Sequence, residues 1–310
     1  MKPRTGITDK LNKHPRKSML SYDYPLYRPP SEANSLIFQV TLGCSFNICS
    51  FCNMYRTKEY VERPWDEIKM EIDLAAKHMP DTQRIFLADG DALNLSTDRM
   101  LQILDYINKK FPKLERVSCY AMPKNLLEKS LEDLKKLYEA GLTMFYIGIE
   151  SGSDKILKKV TKGATGQSII KACQKAKNSG YVISCMIILG LGGKTYSKEH
   201  VDDTARVVSE VSPDYLGALT LQIEDGIREE FMTKFKEPFT PIDDADALTE
   251  LENLVYKINS KSPIIFRANH GSNAYPIGGT FPEDKNKILE KIAYLREHPE
   301  LCRPQGFRGF

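Results

Sequence analysis

Long apolar runs are missing from this chain. None approaches the roughly 18 residues that carry a helix across a bilayer, and the opening stretch, residues 1–20, lacks the apolar core of a signal peptide. Both absences give the expectation of a cytoplasmic protein with no membrane contact. A surplus of charge is missing too. Lys and Arg number 44 against 41 Asp and Glu, a formal net charge of +3, and no basic run forms a patch, so nucleic acid is not implied as a partner. Paired cysteines are scarce: of seven, three crowd into nine positions while Cys119, Cys173, Cys185 and Cys302 stand alone. That spacing argues against a disulfide framework and for a metal in a reducing compartment. Internal repeats and low-complexity tracts are also lacking. What is present, 41% hydrophobic and 27% charged residues, suits a globular chain with a large core.

Residues 1–33 read as a polar, irregular arm. From Ser35 onward, short apolar runs rich in β-branched and aromatic residues alternate with amphipathic stretches of helical length, the pattern of βα units around a parallel sheet. Strands are expected at 36–41, 84–87, 116–120, 144–149, 183–189 and 215–221, and helices at 66–78, 97–110, 127–140, 166–179 and 198–211. The fold class is therefore α/β, a partial (β/α)6 barrel of TIM type with parallel strands over residues 34–223. Residues 224–310 form a C-terminal extension that closes the barrel, with a helix at 244–258, a strand at 264–268 and a last helix near 282–296.

Cys44, Cys49 and Cys52 follow directly on the first expected strand. Three thiolates on one compact loop suit a [4Fe-4S] cubane, and three ligands leave one iron open to a small molecule. A structural zinc site is the plain alternative, but it needs four ligands, and no second C-x-x-C or H-x-x-x-H completes one here.

With aromatic Phe51 before the last cysteine, this loop resembles the cluster-binding loop of the radical S-adenosylmethionine (SAM) superfamily, except that four residues rather than three separate Cys44 from Cys49. Three further segments agree, with methylthiotransferases and oxygen-independent coproporphyrinogen oxidases as the nearest pattern. Asp89-Gly90-Asp91 resembles the segment that holds the SAM amino group, with Asp91 as the carboxylate; an ordinary Asp-Gly turn is the alternative. Glu150 and Ser151 fall where polar side chains approach the SAM ribose and carboxylate, and Ser153 or Asp154 is placed to cap the next helix. Ile188, Gly190 and Gly193 resemble the adenine-contacting segment. A phosphate-binding loop would need Gly in place of Ile188, and a dinucleotide fingerprint would need the first βα turn. All four segments fall at the carboxyl ends of expected parallel strands, where barrel enzymes build their sites.

The resemblance implies a [4Fe-4S] cluster and S-adenosylmethionine as cofactors, a low-potential electron donor of flavodoxin or ferredoxin type as partner, and cleavage of SAM to a carbon radical. A small-molecule substrate is expected, with Arg56, Arg267, Asn269, His270 and Asn273 as candidate contacts and the two arginines suited to an anionic group. A polar loop that merely caps the barrel is the alternative for 267–275. The short stretch before the cysteines gives the expectation of no cobalamin domain, and the remaining cysteines of no auxiliary cluster. Two other functions compete: a non-catalytic iron–sulfur redox or sensor protein, and radical modification of tRNA.

Overall fold

The computed structural model describes residues 20–309, so the first part of the expected arm lies outside the described residues. Strand β1 (Leu36–Gln39) runs into a short β2 (Thr41–Leu42), which pairs antiparallel with β3 (Val61–Glu62) and so closes off the cysteine loop between them. The βα alternation follows: α1 (Trp65–His78), β4 (Arg84–Ala88), α2 (Thr97–Lys110), β5 (Arg116–Tyr120), α3 (Pro123–Glu128), α4 (Leu131–Glu139), β6 (Leu142–Glu150), α5 (Asp154–Lys159), α6 (Gly166–Asn178), β7 (Val182–Leu189), α7 (Gly193–Val211) and β8 (Tyr215–Thr220). Then come α8 (Asp225–Phe235), α9 (Asp244–Lys257), β9 (Ile264–Ala268), β10 (Ile277–Phe281) and α10 (Lys285–Glu297).

One eight-stranded sheet has the order β1-β4-β5-β6-β7-β8-β9-β10. Every pairing is parallel except that of β10 on β9. The six-strand core expected from the sequence is thus extended by β9 and β10, and the sheet curls without β10 meeting β1. Alternate strand residues such as Ile85, Val117, Ile147 and Cys185 point outward and bury against the helices. Their inward neighbours Ile37, Phe86, Met144 and Tyr146 make a separate apolar cluster inside the curl.

The described part of the arm is irregular apart from one short turn. A single 3-10 turn, Pro30–Glu32, drives Glu32 into the molecule, where it is fully buried. Its carboxylate accepts from Tyr146 at 2.6 Å, Arg116 at 2.7 Å and Ser118 at 2.9 Å, and Ser35 donates to it as well. A buried charge survives only when it is this fully partnered. The expected helix at 127–140 is two helices, because Ser130 and Asp133 form a capping box that starts α4 afresh.

Candidate functional site

The cysteine loop is built from the backbone outward. Gly43, with φ of +69°, lies so close to the Glu59 carbonyl that a Cβ would sit 2.7 Å from its oxygen. Asp89, fully buried at the end of β4, accepts from the Gly43 amide at 3.1 Å, Gln39 at 2.9 Å and Lys58 at 2.9 Å. Next to it, Gly90 lets the β4 end touch the loop: a Cβ there would come within 2.7 Å of the Tyr55 ring and 3.2 Å of Cys44 Cβ. Asp89 thereby fastens the loop's base instead of offering its carboxylate to a ligand.

Arg56 fastens its rim. Expected to face an anionic substrate, its guanidinium instead donates to the carbonyl oxygens of Cys49 at 2.6 Å, Asn47 at 2.9 Å and Cys52 at 3.0 Å, and pairs with Glu230 of α8 at 3.3 Å. Asn47 takes up the additional residue between the first two cysteines. It sits at φ +32°, and its side-chain amide donates to the carbonyls of Tyr55 at 2.8 Å and Lys58 at 3.2 Å.

Around this loop the strand ends bring charged groups together. Asp91 is fully buried; one carboxylate oxygen accepts from Ser45, and the other, Oδ1, has no partner. Burial pushes its pKa up to about 6, against the opposing pull of Ser45 and of the nearby Asn125 amide. At the end of β6, Glu150 pairs with Lys162 at 2.8 Å, both side chains nearly buried. The pair fills the space over Gly148, where a Cβ would collide with the Glu150 carboxylate and lie 2.8 Å from Lys162 Nζ. Lys162 Nζ also lies 5.9 Å from the centre of the Phe51 ring. Burial would lower the Lys162 pKa, but Glu150, by its charge and its hydrogen bond, outweighs it and keeps the ammonium charged. Burial pushes the Cys49 thiol up to about 12, and Lys162 pulls the other way; burial also raises Cys52.

Lys162 is the site residue the sequence reading missed. It stands on the turn between α5 and α6, away from any strand end, and only the three-dimensional path brings it back to Glu150. Ser151 bonds to the fully buried His200 at 2.9 Å, whose ring burial keeps neutral with a pKa down to about 4. Phe51 and Ile188 meet in one apolar cluster with Phe231 and Phe235 of α8. The Gly190 amide donates to Glu250 of α9 at 2.7 Å, and a Cβ on Gly193 would come 2.8 Å from the Thr240 carbonyl.

The candidate substrate loop turns inward. Asn273 donates to the Ala218 carbonyl at 2.7 Å and accepts from Thr220 at 2.8 Å, which ties it to β8. His270 bonds Ser272 at 2.9 Å, and its carbonyl accepts from Arg303. Asn269 is exposed at the end of β9, and Arg267 lies within that strand. A cleft of about 870 Å³, lined by Tyr22, Leu26, Ile37 and Arg84 among others, opens at the opposite, amino ends of β1 and β4 and holds none of these groups.

Comparison with known proteins decides the family: the model of the radical SAM superfamily matches residues 38–208, from β1 through most of α7. The chain belongs to the radical SAM superfamily. It is 24% identical over 186 residues to the heme chaperone HemW of Bacillus subtilis, covering 57% of this chain and 48% of that protein. It is 25% identical over 279 residues to the ribosomal protein uS12 methylthiotransferase RimO of Thermosipho melanesiensis, covering 87% of this chain and 61% of that one. The chain thus spans about half to three-fifths of the length of these two curated relatives. Coproporphyrinogen III oxidase (HemN) from Escherichia coli shares the fold at a TM-score of 0.54 and 16% identity, over 72% of this chain and 52% of that one.

Radical SAM proteins use a [4Fe-4S] cluster and SAM, and the residues present fit that pair. The three loop cysteines are free. Among the described residues no three His, Cys, Asp or Glu side chains converge as a single metal ion would draw them; zinc takes every ligand at about 2.0–2.3 Å, whereas a cubane takes each thiolate at a different iron. The orphaned Oδ1 of Asp91, on a carboxylate bonded to the residue after Cys44, is the acceptor an ammonium group would satisfy. No helix of the described residues is long and apolar enough to cross a membrane.

Proposed function

We propose that this chain cleaves S-adenosylmethionine reductively and directs the resulting radical at a small molecule, with Cys44, Cys49 and Cys52 as the cluster ligands. Held by these three thiolates, a cluster would supply the electron, drawn from a flavodoxin- or ferredoxin-type donor, for reductive cleavage of SAM to methionine and a 5′-deoxyadenosyl radical, which would abstract hydrogen from the substrate.

The observation that carries this reading is the pair of opposite charges set around one cysteine loop, an orphaned Asp91 oxygen on one side and Lys162 on the other. An amino acid headgroup has one ammonium and one carboxylate; in this reading Asp91, beside Ser45, takes the ammonium and Lys162, near Phe51, the carboxylate. Glu150 holds Lys162 in place. Phe51 and Ile188, backed by α8, offer an apolar face for the adenine ring, while Gly190 and Gly193 make room for Ile242, Phe239 and the Thr240 carbonyl to pack over them. Asp91 and Glu150 are buried while Phe51, Lys162 and Ile188 are half-buried, so a bound substrate would have to complete the exclusion of water that a radical intermediate requires.

Anaerobic reconstitution tests the proposal. A brown protein with about four irons that forms 5′-deoxyadenosine from SAM under dithionite is the expected result; iron without SAM cleavage indicates a redox or sensor protein, and a colourless zinc protein removes the proposal. Cys49→Ala is expected to lose its iron. Asp91→Ala keeps its iron and binds SAM about tenfold or more weakly, the worth of one charge-assisted hydrogen bond. Unchanged SAM affinity in that variant contradicts the assignment of Asp91.

A further inference from the structure

The inner face of the sheet is unequal. On β1, β4 and β6 it is filled by Ile37, Phe86, Met144 and Tyr146. On β7, β8 and β9 the inward residues Met186, Gly217 and Arg267 stay accessible, while their outward neighbours Cys185, Leu216 and Phe266 are buried against helices. The open half forms a wall at the height of the site.

One layer of that wall runs in register from Gly148 on β6 through Met186 and Gly217 to Arg267, and on to Gly278 of β10. It begins at the Lys162–Glu150 pair, which occupies the space over Gly148, and ends at a guanidinium. Three strand spacings of about 4.8 Å each separate those ends, about 14 Å in all along the wall, a metabolite-sized span. The glycines on either side keep Arg267 clear. A Cβ on Gly217 would meet nothing closer than 3.8 Å, and one on Gly278 would come 3.1 Å from Arg267 Cδ and 3.3 Å from its Nη1. Nη1 donates to the carbonyls of Phe266 at 2.7 Å and Gly279 at 3.2 Å, which fixes the group's orientation. Nε and Nη2 have no partner and no carboxylate pairs with the group among the described residues. Along β8 and β9 it is the one charge facing inward; Leu219 and Ile265 share that face.

A planar fork of donors, held by one nitrogen and free at the others, is matched to a carboxylate or phosphate. We propose that Arg267 anchors the anionic group of a small-molecule substrate whose apolar body lies along Met186 and Leu219 toward the Lys162–Glu150 end. The fate of that substrate rests on the radical reading above; the anion site does not.

The test is ligand-observed NMR with phenyl phosphate, one apolar body carrying one anion, on the full chain and on Arg267→Met and Arg267→Lys. Iron content is read on the same samples to show that the cysteine loop is intact. Expected is saturable binding that inorganic phosphate displaces, about tenfold weaker in Arg267→Met and partly recovered in Arg267→Lys. Equal binding in wild type and Arg267→Met, or none in the wild type, overturns the assignment. So does binding of an RNA stem-loop that depends on Arg267 while phenyl phosphate does not bind, because the anions would then be those of a nucleic acid. A protein that loads no iron yet binds phenyl phosphate through Arg267 keeps the anion site and removes the radical reading.

Discussion

Glu250 is a carboxyl group buried in α9, accepting the Gly190 amide with one oxygen and leaving the other unpartnered. Burial pushes its pKa from the ordinary 4.5 up to about 7; Ser197 and the Gly190 amide oppose that, and the nearby Asp246 adds to it. The folded state therefore holds this proton more tightly than the unfolded one. The contribution is fully present below about pH 4.5 and is lost as pH rises through about 7, at most about 3 kcal/mol over that window. Urea denaturation at pH 5 and pH 8 measures it: wild type should lose more stability across the interval than Glu250→Gln, which keeps an acceptor for Gly190 without a charge. Equal losses in the two proteins mean that Glu250 titrates normally. At this scale the cysteine loop was legible, because its three cysteines lie within nine residues of chain. Lys162 was not, since nothing in its own neighbourhood marks it, and Arg56 was misread because a sequence does not show which carbonyls a guanidinium will reach.

Among the elements, α8 binds the cysteine loop to the rest of the molecule. Its Phe231 and Phe235 are buried against Ile156, Val160 and Leu191, its polar side reaches Arg56 through Glu230 and the Ile48 carbonyl through Lys234, and Glu224, just before its start, accepts from Asn53. Removing Arg56 strands three carbonyl oxygens of the loop, so Arg56→Ala should cost about 2 kcal/mol or more of local order. Hydrogen exchange at residues 44–52 and iron release to a chelator read that loss. Glu230→Ala removes two partly exposed ion pairs, with Arg56 and Lys234, and leaves the three carbonyl bonds of Arg56 in place, so it should move both within about 1 kcal/mol. Comparable effects from the two variants put the fastening in the wrong place. This helix escaped the sequence reading although its apolar residues recur every fourth position. No side chain caps its start, and Gly226 stands in its first turn, so the boundary signals are silent. Strand β10 hid likewise behind Gly278 and Gly279, whereas α2, β5 and β9 lie where periodicity and β-branched runs put them.

For the molecule as a whole, Glu32 joins the arm to two strands of the sheet, and Glu32→Ala strands Arg116 and three hydroxyls, those of Ser35, Ser118 and Tyr146. About 3 kcal/mol of global stability should go with it, read as a fall in the denaturant midpoint; an unchanged midpoint shows that the arm packs without this group. The barrel itself was legible from alternation of short apolar runs and helical stretches. Its opening between β10 and β1 was not, because closure depends on curvature summed over eight strands rather than on any one of them. The fastening of the cysteine loop by α8 also sets an order of events during synthesis. A ribosome delivers Cys52 about 180 residues before Glu230, on the order of 10–40 seconds earlier at ordinary elongation rates. Throughout that interval the thiols leave the exit tunnel without the helix that steadies them, so cluster insertion belongs after translation of α8, and a nascent chain stalled before it should take up iron poorly.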